Sequence, residues 1–493
     1  MDIIKQNIML EYLPIRAHTQ AAAEGEISPP GMMPPIENIL SIDGRTTATA
    51  EALEDAVIVD GVVNLGILYV CSAGLVHGFD SVANFKHTID MPGSKAGTST
   101  DVIPTVGQID YKVTPDGLSV HANVDIDCVQ YQRYDVPVVA SIAQMPLETK
   151  TVEFESESFE SDVSELKVTE EARMPRPIEK ILGVGGHIRT QSVSREANRA
   201  VIEGVLRLSV IYLAPDGTLV QTPIVIPFTQ YSDLPEGTKS INASSKFSSL
   251  NASQVDEDII AIEAMIETIV VSRVAQSYQA LSDAYSMGNE SIECYQDCLQ
   301  LSRSEHADCR CSVRINAETP VGYPDVDRVL VARFRPQIDE SIAQDASVAV
   351  NGVLHGSFIY LDRDGNIHGF DSVLPFECIG EAPGFSPDME VFSSAACELI
   401  HAGAAGSEIP LQVALEISAD GHYFEEITVV NSVDQTENIR DVFGPVVYFP
   451  DAYESLWDVG KKFAISLDDI RSLNPDIHDQ TPHCVLLNLR REA

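Results

Sequence analysis

Two copies of the hexapeptide HGFDSV are the first candidates for chemistry in this chain. They occupy residues 77–82 and 368–373 and contain histidine, aspartate and serine, the side chains of a hydrolytic triad. Along a strand, His77 and Ser81 would share one face about 13 Å apart, while Asp80 would face the other side. The spacing therefore predicts a strand and not a catalytic centre.

Four clustered cysteines form a candidate metal site. They are Cys294, Cys298, Cys309 and Cys311, with His306 among them. Thiolate and imidazole ligands suit zinc, but the spacings C-x3-C and C-x-C differ from the usual C-x2-C pairs. Zinc, a disulfide and a reduced, partly buried linker are the alternatives. We predict the linker, with no metal and no other cofactor.

A glycine-rich segment, LGVGGH at residues 182–187, could suggest a phosphate-binding loop. Such a loop needs a strand before it and a helix N-terminus after it, whereas strand-like residues follow here. We therefore predict a turn. P-loop, HExxH and GxSxG motifs are absent from the sequence, and we predict that the protein is not an enzyme.

The net charge of the chain limits which classes of partner it can bind. Among 493 residues, 74 are acidic and 32 basic, a formal net charge of -42. Nucleic acid and anionic lipid surfaces would repel such a chain, so neither is expected as a partner. The first residues lack the pattern of a secretory signal. The longest uncharged stretch, Gly61 to Phe79, holds four glycines, and we predict two buried strands there, without membrane insertion, in a cytosolic protein.

Three long segments are copies of one unit, beginning at Gly61, Gly204 and Gly352. In each copy a tyrosine follows the glycine by eight positions, and a turn glycine and a phenylalanine follow the tyrosine by five and by sixteen positions. These residues are Tyr69, Gly74 and Phe85, then Tyr212, Gly217 and Phe228, then Tyr360, Gly365 and Phe376. Such internal periodicity indicates a repeat architecture.

Each unit reads as antiparallel β-structure. Short runs rich in valine, isoleucine and tyrosine are broken by SAG, PDG and RDG turns, and the alternation predicts one buried face per strand, as in a sandwich. The stretch from Thr151 to Glu171 has eight acidic residues and one lysine. We predict that it is an edge strand with a solvated acidic face.

The end of the chain carries helix signals. VVYF (446–449) is strand-like, and Asp451 with Glu454 resembles a capping box. Apolar residues at helical spacing predict a first helix, and Ser466 with Asp469 predicts the start of a second. The apolar positions are Leu456, Val459, Gly460 and Phe463, then Ile470 and Leu473 as an inward face before Asn474-Pro475. CVLLN (484–488) completes a β-α-α-β module.

This module resembles the LysM family. The matching residues are Leu456-Trp457-Asp458-Val459, Lys462-Phe463, Ser466 with Asp469-Ile470, and Leu473-Asn474-Pro475. The resemblance implies that Leu456, Trp457, Ile470 and Leu473 are core and that loops flanking the helices form a groove for N-acetylglucosamine polymers. In those loops Tyr453-Glu454-Ser455 replaces the usual Gly-Asp-Thr, and His483 and Asn488-Leu489 replace a glycine and Ile-Pro. A protein or a glycan therefore remains possible as ligand.

The repeats resemble the SPOCS domain of endospore-forming Firmicutes. The segments PPIENIL, RPIEKIL and PDVDRVL and the glycine-tyrosine-glycine-phenylalanine frame carry the resemblance. It implies a mainly β fold: three sandwich-like repeats (1–148; 149–303 with the cysteine linker at its end; 304–438), then the LysM-like module (442–493).

Several SPOCS units followed by one LysM module resemble spore-coat morphogenetic proteins. This implies a scaffold at the forespore surface in the mother-cell cytosol, with the basement-layer coat ATPase and other coat proteins as partners; the alternative is peptidoglycan or cortex binding. The candidate binding positions on the module are Tyr453, Glu454, Ser455, Lys461, Lys462, Asn474, Pro475, Asp476 and Ile477.

Overall fold

The computed structural model describes residues 1–11, 15–31, 33–287, 290–404, 406–437, 444–477 and 484–489. His483 and the predicted boundary at 438–442 lie outside these ranges. Within them the fold is mainly antiparallel β-structure, as predicted. The helices among the described residues lack the length and hydropathy of a transmembrane span.

The strands fall into three units. The first contains β1 (Asp2–Glu11), β2 (Ile15–Ile27), β3 (Asn38–Leu53), β4 (Ala56–Val70), β5 (Val76–Asp90), β6 (Asp101–Thr114), β7 (Gly117–Gln130) and β8 (Arg133–Ala143). The second contains β9 (Leu147–Arg173), β10 (Lys180–Glu196), β11 (Arg199–Leu213), β12 (Leu219–Asp233), β13 (Thr238–Asp256) and β14 (Ile259–Ser286). The third contains β15 (Glu290–Glu318), β16 (Arg328–Gln344), β17 (Ser347–Leu361), β18 (Ile367–Glu381), β19 (Glu390–Ala402) and β20 (Glu408–Glu437).

Each unit packs two groups of three strands around its own apolar core. In the first unit the two groups are joined into one six-stranded sheet by the pairing of β2 with β5 at Glu24 and Asn84, whereas in the other two units they are separate sheets. One group is a meander: β3-β4-β5, β10-β11-β12 or β16-β17-β18. The other pairs the lead-in strand with the last strands of the same unit: β2-β7-β6, β9-β14-β13 or β15-β20-β19. The acidic strand β9 is at an edge, as predicted. The C-terminal module follows with β21 (Gly444–Tyr448), α1 (Leu456–Phe463), α2 (Leu467–Leu473) and β22 (Val485–Leu489).

Cross-strand pairing explains the glycine-phenylalanine spacing of the repeat. Gly61 is the direct partner of Phe85, and the other two copies pair in the same way. A Cβ atom at Gly61 would lie 2.3 Å from Cζ of Phe85. The phenylalanine ring therefore covers the glycine, a packing that a larger residue would prevent.

The repeat tyrosines anchor the segment before each meander. All three rings are fully buried. The hydroxyl of Tyr69 donates to the carbonyl of Pro34 at 2.8 Å, and that of Tyr360 donates to Pro324 at 2.9 Å. The hydroxyl of Tyr212 is buried without a hydrogen-bond partner among the described residues. Two of the three tyrosines therefore hold the preceding segment by a hydrogen bond as well as by packing.

The tyrosines offer a matched pair of substitutions. Tyr360→Phe is expected to lower the free energy of unfolding by about 1 kcal/mol, because it leaves the Pro324 carbonyl unpaired. Tyr212→Phe is expected to be neutral or slightly stabilising, because its hydroxyl has no partner among the described residues. Denaturant unfolding of both variants checks this. An equal loss in both would contradict the assigned hydrogen bond.

The three units close into a ring around a shared apolar cluster. Its members include residues at equivalent repeat positions: Leu40, Leu182 and Leu330; Leu68, Ile211 and Ile359; Val76, Leu219 and Ile367. Strand β5 contacts β10, β12 contacts β16, and β18 contacts β3, so each meander meets the next one cyclically.

Long ribbons extend from the ring. Strands β9 and β14 pair over their whole length, as do β15 and β20, while β1-β8 continues β2-β7 in the first unit. Their outer parts pack on one another through residues that include Ile8, Val138, Phe154, Leu301 and Val429. We call these ribbons the arms, and the three units together the β body.

Two predictions about local structure are wrong. LGVGGH is not a turn but part of β10, where a Cβ at Gly186 would lie 2.0 Å from the Arg207 carbonyl oxygen. The glycines allow β10 to lie close to the neighbouring strand β11. The cysteine segment is not a linker but lies in β15, which pairs with β20 of the third unit. The predicted boundary at 303/304 therefore falls inside a strand.

The zinc alternative fails because β15 is extended. Cys294 and Cys309 are fifteen residues apart, which in a strand is roughly 50 Å. Among the residues described, no group of three or more His, Cys, Asp or Glu could hold a metal ion. Cys311 is instead disulfide-bonded to Cys378, with 6.3 Å between their Cα atoms. This bond joins β15 to β18, so the prediction of reduced cysteines is wrong for this pair.

His306 in β15 gives the third unit a pH dependence. Burial by itself lowers its pKa, but hydrogen bonds with Asp308 and Asp420 outweigh burial and raise the pKa to about 9. Protonation of His306 therefore stabilises the folded state. This stabilisation is fully present at pH values below the unfolded-state pKa of 6.5, and it is lost as the pH rises through about 9. Thermal unfolding between pH 6 and pH 10 is expected to show this loss, and His306→Gln should flatten it.

Candidate partner-binding module

Local capping defines the helices of the C-terminal module. The hydroxyl of Ser455 accepts from the Asp458 amide and the Asp458 carboxylate accepts from the Ser455 amide, a complete capping box. The predicted box at Asp451 and Glu454 instead forms a turn just before the helix. Ser466 caps α2 as predicted.

The apolar core of the module differs from the predicted one. Leu456, Val459 and Ile470 are buried with the inward residues of β22. Leu473 was expected in this core but is 44% exposed, because it lies in the last turn of α2, on the solvent side. Trp457 is buried as expected, but its described ring contacts are with the β body and not with this core.

One face of the module docks on the end of the second unit's arm. The Trp457 ring packs edge-on against Tyr285 of β14 at 4.9 Å between centroids, and its indole N–H donates to Asp283 at 2.7 Å. The Tyr285 hydroxyl donates to the carbonyl of Ile465 at 2.9 Å. A Cβ at Gly460 would lie 2.3 Å from that hydroxyl, so the glycine permits the approach.

An ion pair and a backbone hydrogen bond add to this contact between the module and the arm. Lys461 Nζ lies 2.6 Å from Asp283, whose side chain is 14% exposed. The backbone amide of Leu467 donates to Glu148 of β9 at 3.1 Å. Burial raises the pKa of Tyr285, which keeps its hydroxyl protonated as a donor. Lys461, predicted as a position for an external partner, is therefore engaged within the chain.

Several other predicted positions hold the module together. Glu454 accepts from the Tyr448 hydroxyl at 2.5 Å and pairs with Lys462 at 3.1 Å. The hydrogen bonds from Tyr448, the Asp451 amide and Lys462 lower the pKa of Glu454 to about 2. The side chain of Asn474 donates to the carbonyls of Ile470 and Leu486 and accepts from the Leu486 amide. Ser455 is the helix cap, and Ile477 packs on the module core.

The module also exposes several apolar residues outside its described contacts with the arm. Tyr453 is 95% exposed and Phe449 is 70% exposed. Val447 and Leu486 are cross-strand partners that are also exposed, and Leu473 adjoins Asn474, which binds the Leu486 backbone. We call Val447, Phe449, Tyr453, Leu473 and Leu486 the apolar patch. Among the predicted positions, the exposed residues are Tyr453, Lys461, Lys462, Pro475 and Asp476.

Sequence reasoning missed four of the five patch residues as binding candidates. A signal was present, because VVYF is apolar at successive positions and a two-stranded sheet can bury only one of its faces. Val446 and Tyr448 pack inward, which leaves Val447 and Phe449 outside. Large exposed apolar patches mark interaction sites.

The HGFDSV motif serves packing. The ring of His77 lies 5.6 Å from that of Tyr69, and His368 binds Asp362 at 2.9 Å. The glycines sit at unit junctions: a Cβ at Gly78 would lie 3.0 Å from the Leu182 carbonyl oxygen, and one at Gly369 would lie 2.0 Å from that of Leu40. The motif recurs where one meander must approach the next closely.

Comparison with known proteins gives one match. A family model described as SipL, SPOCS domain, matches residues 35–114, 177–267 and 325–403, one region in each β unit. These regions cover half of the chain. No curated protein and no solved structure matches it.

Proposed function

Because the chain belongs to the SipL, SPOCS-domain family, which supports a sporulation-related interaction protein, we propose that it is a non-enzymatic scaffold of spore-coat assembly. In this proposal the β body is the structural part, and the C-terminal module docks the basement-layer coat ATPase at the forespore surface. Other coat proteins bind elsewhere on the scaffold. The proposed location is the mother-cell cytosol.

The apolar patch is the observation that carries the docking proposal. The surface of the module around Trp457 is occupied by Tyr285 and Asp283 of the arm, so in the docked state a partner must bind another surface of the module. Aromatic and aliphatic residues at the centre of an interface supply most of its binding energy. Phe449 and Tyr453 are the exposed aromatic anchors of the apolar patch.

The proposal is tested with the full chain. Phe449→Asp is expected to abolish retention of the coat ATPase in a pull-down, because it places a charge where an apolar contact is needed. Val163→Asp is the matched control, because Val163 in β9 is likewise an exposed apolar residue but lies outside the module. Emission of Trp457, the only tryptophan, reports whether the module stays docked. Undiminished retention by a docked Phe449→Asp protein would exclude the patch.

Glycan binding is the second candidate, favoured by the exposed rings of Tyr453 and Phe449, which could stack on sugars. Pelleting of the full chain with purified peptidoglycan at low salt tests it. Retention that Tyr453→Ala abolishes would support this candidate, and no retention would remove it.

A further inference from the structure

A cavity of about 440 Å³ lies where the second unit meets the third. Its walls come from all three units, including β3, β10, β12, β16 and β19. This junction differs from the other two, because Gln221 occupies the repeat position of Gly78 and Gly369. The Gln221 side chain accepts a hydrogen bond from the Ala332 amide at 3.3 Å. A side chain therefore lies between the two units here, at the position where the other junctions have a glycine.

The cavity is lined by an excess of positive charge, although the whole chain has a formal net charge of -42. Four guanidinium groups and two carboxylates line it, together with His187. The guanidinium groups are those of Arg45, Arg207, Arg333 and Arg335, and the carboxylates are those of Asp43 and Glu398. Equivalent segments of the three repeats supply most of these residues.

The two carboxylates do not supply enough acceptors for all the hydrogen-bond donors of the four guanidinium groups. Asp43 accepts from Arg333 at 3.2 Å and from Arg335 at 3.0 Å, and Glu398 pairs with Arg207. Burial alone would raise the pKa of Asp43, but the facing arginines lower it below its usual value.

Buried nitrogens remain without acceptors. Among the residues that the structure describes, Nη2 of Arg333, Nε of Arg335 and Nε of Arg207 have no hydrogen-bond partner, nor does Nε2 of His187. Buried donors in folded proteins are nearly always paired with protein, water or ligand. Three guanidinium groups with spare donors around one cavity match the forked recognition of oxyanions.

We propose that this cavity binds a small polyvalent oxyanion, a phosphate or a polycarboxylate, which links the three units at their junction. Burial raises the pKa of the Cys397 thiol in the cavity wall to about 12, so that thiol stays protonated near neutral pH.

Thermal unfolding of the full chain tests the proposal with inorganic phosphate and with citrate, each against sodium chloride at equal ionic strength. A saturable rise in melting temperature beyond that in chloride is expected for at least one anion, and the stronger of the two identifies its class. Arg333→Gln should weaken that binding about ten- to hundredfold. Arg189→Gln, an ion-paired arginine of β10 outside the cavity lining, should bind as the unmodified chain does.

A second variant avoids disturbing the ion pairs. Val225 lines the cavity and is exposed, so Val225→Phe should reduce the space without unfolding the protein, and it should also weaken anion binding. Shifts no larger than those in chloride would overturn the proposal. So would equal binding by the Val225→Phe and unmodified proteins, or equal weakening by Arg333→Gln and Arg189→Gln.

Discussion

Replacing Trp457 with alanine is expected to release the C-terminal module from the β body and to leave the module folded. The substitution removes the contact with Tyr285 and the hydrogen bond to Asp283, a loss of about 3–5 kcal/mol for a buried aromatic residue. The module core of Leu456, Val459 and Ile470 does not include this ring. Small-angle scattering should show a larger radius of gyration, while circular dichroism keeps the helical signal.

Two variants control this prediction. Tyr285→Ala should release the module from the other side, and the emission of the retained Trp457 should shift to the red as the indole enters water. Leu456→Ala removes a residue of the module core that is 1% exposed and should unfold the module itself. Unchanged scattering by Trp457→Ala would show that the arm contact does not hold the module.

Gly369→Ala is expected to disrupt the ring of three units. The new Cβ would lie 2.0 Å from the carbonyl oxygen of Leu40, and backbone atoms cannot rotate away as a side chain could. Overpacking lowers the free energy of unfolding by about 1–3 kcal/mol and occasionally more. Because the new Cβ would clash with the backbone of Leu40, we expect a loss at the upper end of this range. Thermal and denaturant unfolding should both show the loss.

Gly66→Ala is the matched control in another meander strand. The nearest atom to its Cβ would be a carboxylate oxygen of Asp80 at 3.7 Å, an ordinary contact, so its stability should be unchanged or slightly raised. If Gly369→Ala were equally harmless, the first and third units would not be in the close contact described for Leu40.

The repeat frame shows how local patterns can predict a fold. Strand alternation and turn residues specify which face of each strand is buried, so the positions of Tyr69 and Phe85 and their counterparts could be read as a repeating β unit before their contacts were known. The same holds for the caps at Ser466 and for the order β-α-α-β. Such features depend on residues close in sequence or on a period, and the sequence displays both.

The patterns of the sequence could not show which distant surfaces meet. Gly183 to Gly186 looked like a turn because glycine marks both turns and close strand contacts, and only the neighbouring Arg207 strand distinguishes them. Trp457 looked like module core because burial alone does not say against what a residue packs.

By itself, the sequence determined three β units, their internal frame and a helical module at the end, since periodicity and capping are local properties. The tertiary structure decided the closed ring of units, the disulfide between Cys311 and Cys378, the basic cavity beside Gln221 and the docking of Trp457 on Tyr285. These features join residues far apart along the chain, and their contacts depend on how complete surfaces fit together in space.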